Sequence, residues 1–324
     1  MSEVPTPESA RNACRLALKE DRELRPLLDA AQSGSLPIGR ALALVPRVEE
    51  FARALPQLCE LREQLARQGL PVGDGMFERF LVVATALRSV DRVAQLPVDA
   101  RVRQLFYKKF SSYAAGSPQS VQVGDASFVA MCRIASLTRF PAGQLDWVMS
   151  GVPRSRLLSV ARARLPKLLK VIGLELGGFA PMFVSHLDPH RPNQGMLLER
   201  ESLRSYHRMA RSMTRQPSIR GFMTASWFHS PDTFAVSPHL RWVNEVFLQN
   251  GGHVFPLGPA DPTCGVLHRS PERQRAYDNG TFIPTEALVI WPRSAMLGWA
   301  EQRPDLIDAE AGEDREAPLA EARA

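Results

Sequence analysis

The sequence predicts an α+β or α/β protein in which an all-helical N-terminal half packs on a C-terminal mixed sheet with flanking helices. Through residue 172, apolar residues recur every three or four positions, which is the period of a helix. After the glycine-rich segment 174–179, short apolar runs alternate with helical segments. The chain has 324 residues, 44% of them apolar, which is enough for two domains with buried cores.

The N-terminal half is predicted to consist of consecutive helices. Asp74 and Asp99 are suitable N-caps, and Gly116 is a suitable terminator. Pro46 and Pro56 are expected to divide one helical segment, because proline lacks the N–H group that a helix interior requires. The predicted helical segments are 11–31, 38–65, 76–96, 100–115, 126–137 and 154–172.

The last of these segments, 154–172, is basic and amphipathic. It is consistent with a helix on a membrane surface or with a packed helix whose cations extend to solvent. Pro166 interrupts the pattern, and the packed helix is favoured.

The C-terminal half is predicted to alternate between strands and helices. The predicted strands are 179–186, 221–228, 233–236, 253–257 and 286–291, and the predicted helices are 199–215, 238–249, 271–278 and 296–302. We therefore expect a helical domain at 1–172 and an α/β domain at 173–304. Residues 305–324 contain seven acidic and two basic residues, which predicts a disordered acidic tail.

Composition and charge exclude several classes of protein. No apolar run is long enough to span a bilayer, and because no basic segment followed by an apolar stretch opens the sequence, no secretory signal is expected. Four cysteines without a CxxC pair indicate reduced thiols, so we expect a cytoplasmic protein of bacterial-type composition. The net charge is +6, but the arginines are spread along the chain and no nucleic-acid partner is expected. A small-molecule substrate is expected, and the sequence leaves the oligomeric state open.

All seven histidines lie between residues 186 and 268, which places the expected chemistry in the C-terminal half. Residues 221–242 combine two Ser-Pro steps, two histidines and two tryptophans at predicted loop edges, a composition typical of a ligand pocket. The candidate catalytic residues are His229, His239, Ser226 and Tyr277. The candidate substrate-binding residues are Trp227, Arg241, Trp242 and Trp291.

A second histidine cluster supports a different chemistry. His186, Asp188 and His190 follow a predicted strand, and a His-x-Asp pair at a strand end supplies two of the three ligands of an iron(II) oxygenase site. A turn in which Asp188 caps the backbone is the alternative. A histidine such as His186, His229 or His239 also suits haem iron, held non-covalently because no CxxCH motif occurs.

No dinucleotide-binding, P-loop, nucleophile-elbow or zinc-protease motif is present. The run Val236-Ser-Pro-His-Leu-Arg241, a helix to Gln249, a strand at 253–257 and the run Arg275-Ala-Tyr277-Asp-Asn-Gly280-Thr-Phe282 together resemble the GNAT-type N-acyltransferase superfamily. The resemblance covers about a third of the chain. It implies acyl transfer, with acyl-CoA or an acyl carrier as the donor.

The first hypothesis is therefore an enzyme that transfers an acyl group to an amine of a small metabolite. His229 or His239 would be the base, and Ser226 and Tyr277 would stabilise or protonate the leaving group. The second is a histidine-ligated iron or haem oxygenase acting on a small polar metabolite. The third is a non-catalytic partner-binding protein, with the 227–242 loop as the interface and the acidic tail as a regulatory segment.

Overall fold

The structure is a computed structural model that describes residues 5–47, 51–116, 121–153, 159–160, 162–187, 197–261, 267 and 270–308. It divides into two compact units. The helical unit comprises Glu3–Val148 and Leu187–Gln194, and the sheet unit comprises Met149–His186 and Gly195–Ala324. The predicted domain boundary at residue 172 lies inside the sheet unit. The mixture of helices with a mixed sheet confirms the predicted α+β class.

The helical unit contains seven helices and a β-hairpin among its described residues. The helices are α1 (Pro7–Glu20), α2 (Arg25–Gln32), α3 (Leu36–Leu44), α4 (Phe51–Arg67), α5 (Met76–Val93), α6 (Ala100–Ala115) and α7 (Ala126–Ala135). The hairpin strands are β1 (Phe140–Pro141) and β2 (Leu145–Ser150).

Local capping explains where several of these helices begin and end. The side chain of Thr6 accepts the Ser9 N–H and forms a capping box on α1. Asp99 caps α6 by accepting the Arg101 N–H, and Gly116 ends that helix at φ +90°, as predicted. The predicted cap of α5 was wrong, because Gly75 occupies that position at φ +79° and no side chain caps the helix.

The core of the helical unit forms where α1 packs against α5 and α6. The side chains of Phe77, Phe80, Phe106 and Phe110 are buried almost completely. Burying large aromatic side chains is the main stabilising contribution in such a helix cluster.

The hairpin β1–β2 was not predicted from the helical period. Phe140 pairs with Trp147 in antiparallel register, and their rings stack at 5.2 Å between centroids. Arg139 donates to the fully buried carboxylate of Asp146 at 3.0 Å. Gly143, at φ +117°, allows the chain to reverse between the strands.

The sheet unit contains the remaining elements. The described strands are β3 (Met182–Leu187), β4 (Gly221–Ser226), β5 (His253–Pro259) and β6 (Thr285–Pro292). The described helices are α8 (Leu165–Lys170), α9 (Glu199–Thr214), α10 (Pro231–Val236), α11 (Trp242–Leu248), α12 (Pro271–Asp278), α13 (Arg293–Glu301) and α14 (Asp305–Asp308).

The four strands of this unit form a mixed sheet in the order β3-β4-β6-β5. β3 and β4 are parallel and are joined by α9, whereas β6 is antiparallel to both β4 and β5. The parallel pair requires a crossover connection, and the helix α9 provides it.

Helices and apolar side chains cover both faces of this sheet. On one face Phe222 and Trp291, which are register partners, contact Tyr206 of α9 and Phe247 of α11. On the other face Met223 belongs to a buried cluster with residues of the segment that contains α8. Because successive side chains of β4 point to opposite faces of the sheet, Phe222 and Met223 belong to the cores on its two sides.

Several predicted elements differ from the structure. Pro56 lies inside α4 and does not divide it. The segment 154–172 is not one helix in its described part, because a 3-10 turn at Arg162–Arg164 precedes α8, which is followed by a π-helix at Val171–Glu175. Pro166 in the first turn of α8 accounts for that break, because proline suits a helix start.

The first four residues of the predicted acidic tail are folded. Residues 305–308 form the short helix α14, in which Leu306 is buried, and the acidic residues from 309 onward lie outside the described residues. None of the described helices combines the length and the apolar character needed to cross a bilayer.

Candidate functional site

The parallel strands β3 and β4 stop pairing with each other before either strand ends. Their register partners are Phe183 with Phe222 and Val184 with Met223, yet β3 continues to Leu187 and β4 to Ser226. On its other edge β4 stays paired with β6 along its whole length, from Gly221–Pro292 to Ser226–Ala287. We take the carboxyl ends of these two strands as the candidate site, because ligands of α/β sheets bind at the carboxyl ends of parallel strands.

A tight turn directly after β4 brings three candidate residues to this end of the sheet. Ser226 accepts the Phe228 N–H at 3.4 Å, and Trp227–His229 form one 3-10 turn. The predicted strand 221–228 therefore ends at Ser226.

The helix α10 follows this turn where an extended segment, 233–236, was predicted. Ser230 accepts the Asp232 N–H at 3.3 Å, and Pro231 stands in the first turn. The Ser-Pro step is thus a helix start, since serine is a favourable N-cap and proline suits the first turn. Thr285 of β6 donates to Asp232 at 2.7 Å and is hydrogen-bonded to Ser230, which ties the start of α10 to the sheet.

His229 is buried and makes a reciprocal pair of hydrogen bonds with Asn244 of α11. The Asn244 Nδ2 donates to the backbone carbonyl of His229 at 2.8 Å, so its Oδ1 is the atom that faces the ring, 2.9 Å from Nδ1. An amide oxygen only accepts, and Nδ1 must therefore carry the proton. The other ring nitrogen, Nε2, is left with a lone pair and can act as a base.

The surroundings of His229 keep its ring neutral. Burial lowers the pKa of His229 from 6.5 to about 4, and the hydrogen bond with Asn244 opposes this only in part. The ring also meets Phe247 edge-on, with centroids 5.7 Å apart. At neutral pH this side chain is an uncharged proton acceptor fixed in one tautomer.

Aromatic rings and one cation form a wall beside this turn. The Trp227 and Phe228 rings lie 3.9 Å apart between centroids, and the guanidinium of Arg273 stands 4.7 Å from the Trp227 ring centroid. Arg273 is itself buried, and its Nη1 donates to Ser237 at 3.0 Å. A guanidinium over an indole face is an attractive cation–π contact.

The other predicted site residues occupy different surroundings. His239 and Arg241 are exposed, Trp242 is half-buried, and Tyr277 on α12 is 38% exposed. Trp291 is a core residue, since its side chain is fully buried and its Nε1 donates to the Asn250 carbonyl at 2.8 Å. In this arrangement the indole of Trp291 cannot contact a substrate.

The predicted metal site falls largely outside the described residues. His186 is exposed at the end of β3, whereas Asp188 and His190 belong to the segment 188–196, which is not described. Within the described ranges, no three His, Cys, Asp or Glu side chains stand close enough together to hold a metal ion. His253 of β5 pairs with Glu175 at 2.9 Å.

Sequence reasoning missed the two partners of this site, Asn244 and Arg273. Asn244 contacts His229, 15 positions earlier, and Arg273 contacts Ser237, 36 positions earlier. Contacts over such separations cannot be inferred from the period of a helix or a strand. One signal was present for Asn244. It lies with Leu240 and Phe247 in a stripe spaced by three or four positions, and a polar residue in such a stripe indicates a buried partner.

Comparison with known proteins gives weak likenesses. No protein-family model matches the chain, and no curated protein matches it. A solved acyltransferase in complex with decanoyl-CoA is 15% identical, with a TM-score of 0.45 over 88% of this chain and 98% of that one. An acyltransferase in complex with CoA and 10C-teicoplanin is 12% identical, with a TM-score of 0.41 over 89% of each chain. Similarity at this level establishes neither a shared fold nor a shared activity.

Proposed function

We propose that this protein is an acyltransferase that moves an acyl group from a thioester donor, acyl-CoA or an acyl carrier, to the amine of a small molecule. The observation that carries this proposal is the parting of the parallel strands β3 and β4 beyond Val184 and Met223, next to a histidine held as a neutral base. The reaction needs a place for an extended amide-bearing donor and a group that takes a proton from the amine.

The end of β4 beyond Met223 suits the arm of a thioester donor, because β6 is the one described strand that pairs with it there. Thr224, Ala225 and Ser226 continue the strand beyond its last pair with β3 while β6 holds their other edge. An extended ligand with amide groups can add to such an edge as a short extra strand, through backbone hydrogen bonds. The pantetheine arm of CoA and of acyl carriers has this chemistry, and its thioester would lie toward the carboxyl end of β4.

His229 supplies the base for the transfer. The amine nitrogen attacks the thioester carbonyl carbon, and the carbon–sulfur bond breaks. The proton lost by the nitrogen passes to Nε2 of His229 and then to the departing thiolate, so the products are an amide and a free thiol. The pKa of about 4 makes the protonated ring a ready donor toward the thiolate, whose conjugate thiol is a far weaker acid.

Ser226 is the candidate residue for assisting the leaving group that lies nearest to His229 in the sequence. It ends β4, three positions before His229, and its oxygen accepts the Phe228 N–H. That acceptor role leaves the hydroxyl proton available to the sulfur. The sequence also suggested His239 as the base; with the base assigned to His229, the exposed His239 has no part in this proposal. Tyr277, which is also exposed, remains a prediction for stabilising or protonating the leaving group.

The experiment combines binding and turnover. The purified protein is titrated with a thioether analogue of acyl-CoA, which cannot transfer its acyl group, and turnover is followed as thiol release and amide formation over a panel of small amines. The variants are His229→Gln and, as the matched control, the exposed His239→Gln. We expect His229→Gln to lower the rate by about 10²–10⁴-fold with donor affinity unchanged, and His239→Gln to stay within about threefold.

Circular dichroism and the thermal midpoint establish that each variant is folded. A second variant, Ser226→Ala, tests the leaving-group role and should slow thiol release without altering the affinity for the analogue. A protein that neither binds the analogue nor releases thiol with any amine would exclude acyl transfer. Full activity in folded His229→Gln would exclude His229 as the base but would not exclude acyl transfer.

A further inference from the structure

The segment 162–179 of the sheet unit has two different faces. Leu168, Val171, Ile172 and Leu176 are buried and belong to the cluster that packs on the sheet beside Met223. The residues between them, on α8 and on the π-helix that follows it, are exposed. The buried face therefore holds the segment on the sheet, and the exposed face is accessible to a partner.

Three large apolar side chains of this segment are exposed to solvent. Leu169 is 47% exposed, Leu174 is 74% exposed and Phe179 is 46% exposed. Leu169 and Leu174 are about one turn apart where α8 passes into the π-helix, so they lie on the same side. Single exposed apolar residues are ordinary, but several together on one surface mark an interaction site.

Four cations accompany these apolar side chains. They are Arg162, Arg164, Lys167 and Lys170, and all four are exposed. Within the described part of the chain, none of their side chains makes a hydrogen bond or an ion pair. Glu175 is the one acidic residue of the segment, and it pairs with His253 of β5 at 2.9 Å. A cluster of positive charges of this kind attracts an anionic partner.

The space next to the exposed face is open. A Cβ added at Gly173, Gly177 or Gly178 would have no atom within 4 Å. Gly173 directly precedes Leu174, and Gly178 directly precedes Phe179. Among the described elements, none therefore covers the surface at these points.

We propose that this face, which we call the 162–179 surface, binds an anionic phospholipid bilayer. The four cations contact the phosphates of the headgroups, and the apolar side chains enter the boundary between headgroups and acyl chains. The 162–179 surface consists of Arg162, Arg164, Lys167, Leu169, Lys170, Leu174 and Phe179. This proposal is independent of the acyl-transfer proposal, because none of these residues has a role in that reaction.

The combination of cations with exposed leucines favours lipid over other anionic partners. A nucleic acid would use the cations, since its phosphates dominate non-specific binding, but would gain nothing from Leu169 and Leu174. A protein partner would need a complementary, well-packed surface around side chains as exposed as Leu174. Fluid acyl chains adapt to such side chains without a preformed pocket.

The test is sedimentation of the full-length protein with phospholipid vesicles. One set of vesicles is pure phosphatidylcholine, and the other contains about 30 mol% phosphatidylglycerol, which supplies the anionic headgroups. We expect binding to the anionic vesicles and at least tenfold weaker binding to the neutral ones. Raising the salt concentration from about 0.1 M to about 1 M should weaken binding to the anionic vesicles at least tenfold, because screening shortens the range of the attraction.

Two variants test the two components of the 162–179 surface. The double variant Lys167→Gln/Lys170→Gln should weaken binding to the anionic vesicles about 25-fold, since each cation near an anionic surface contributes about fivefold. Leu174→Ser should weaken it at least fivefold through the loss of apolar burial.

Each variant has a matched control elsewhere on the exposed surface. Lys19→Gln/Arg22→Gln removes two exposed cations of the helical unit, and Leu36→Ser removes a leucine that is 79% exposed. Both controls should bind the anionic vesicles within about twofold of the wild-type protein, because an exposed side chain outside the lipid contact adds little to the affinity. Circular dichroism and the thermal midpoint establish that all four variants are folded.

Three results would overturn the proposal. The first is a wild-type protein that does not bind the anionic vesicles or binds the neutral ones as tightly. The second is normal binding by either folded variant of the 162–179 surface. The third identifies a nucleic-acid surface instead: binding to a DNA duplex that depends on Lys167 and Lys170 but not on Leu174, without binding to vesicles.

Discussion

Asn244 holds His229 in a single tautomer, because only one orientation of its amide satisfies both groups it faces. Its Nδ2 donates to the His229 carbonyl at 2.8 Å, and its Oδ1 then accepts from the ring Nδ1 at 2.9 Å. The same pair joins the turn after β4 to α11. Removing it would therefore change both the chemistry of the ring and the packing of the turn.

The first prediction concerns Asn244→Asp. The new carboxylate still accepts from Nδ1 but cannot donate to the His229 carbonyl. We expect the negative charge to raise the pKa of His229 by about 1–3 pH units from its present value of about 4. A titration of the ring nitrogens by ¹⁵N NMR measures this shift. Gln249→Glu, the same amide-to-acid change at an exposed position next to α11, is the control and should leave that pKa unaltered.

The second prediction is the pH dependence of stability that His229 causes. Its pKa is lowered on folding from 6.5 to about 4, so the unfolded chain takes up the proton first as the pH falls. The contribution of this group is complete above pH 6.5 and is lost as the pH falls to about 4, a change of about 3 kcal/mol. Urea unfolding at pH 7.5, 5.5 and 4.5 measures it.

His229→Gln and His239→Gln separate this contribution from that of other groups. His229→Gln should flatten the decline between pH 6.5 and 4 by about 3 kcal/mol, whereas His239→Gln, which changes an exposed ring, should keep it. If the free energy of unfolding declined equally with pH in both variants, a neutral, buried His229 would be contradicted.

The third prediction concerns Arg273. Arg273→Met removes the cation over Trp227 and the hydrogen bond to Ser237, and should lower the free energy of unfolding by about 2–4 kcal/mol. Arg275→Met, on the exposed side of α12, should change it by less than about 0.5 kcal/mol. Denaturant unfolding gives both values, and equal stabilities would show that the buried guanidinium contributes nothing.

The fourth prediction uses two glycines with opposite surroundings. A Cβ added at Gly221, the first residue of β4, would lie 2.4 Å from the Trp291 carbonyl oxygen, so Gly221→Ala should destabilise the protein by about 2–3 kcal/mol. Gly39 of α3 has no atom within 4 Å of an added Cβ, and Gly39→Ala should stabilise it by about 0.5–1 kcal/mol. If both variants shifted the thermal midpoint in the same direction, the contrast between a crowded Gly221 and an uncrowded Gly39 would be refuted.

Elements with a strong local pattern could be predicted from the sequence. The helix at Pro271–Asp278 was predicted with the correct bounds, because Ser270 and Pro271 form a clear helix start. The helix α9 was predicted to within one residue, because its apolar residues keep a regular helical period. The hairpin at residues 140–150 was missed, since its alternation is too short to separate from a helical period. Ser230 and Pro231 are a helix start signal, but the segment 233–236 that follows them was predicted to be extended and is part of α10.

The candidate site was only partly accessible to sequence reasoning. The run from Ser226 to His229 could be predicted from its composition, because histidine and tryptophan beside a strand end suggest a pocket. Asn244 and the parting of β3 from β4 did not, because both depend on tertiary pairing between distant segments.

The central claim is that an acyl thioester donor lies along the edge of β4 beyond Met223. Amide hydrogen exchange of the protein with and without the thioether analogue of acyl-CoA tests it most directly. We expect exchange to slow in the peptide spanning residues 221–229, with little change in the edge strand β5. Protection confined to β5 or to the helical unit, with none in 221–229, would contradict it.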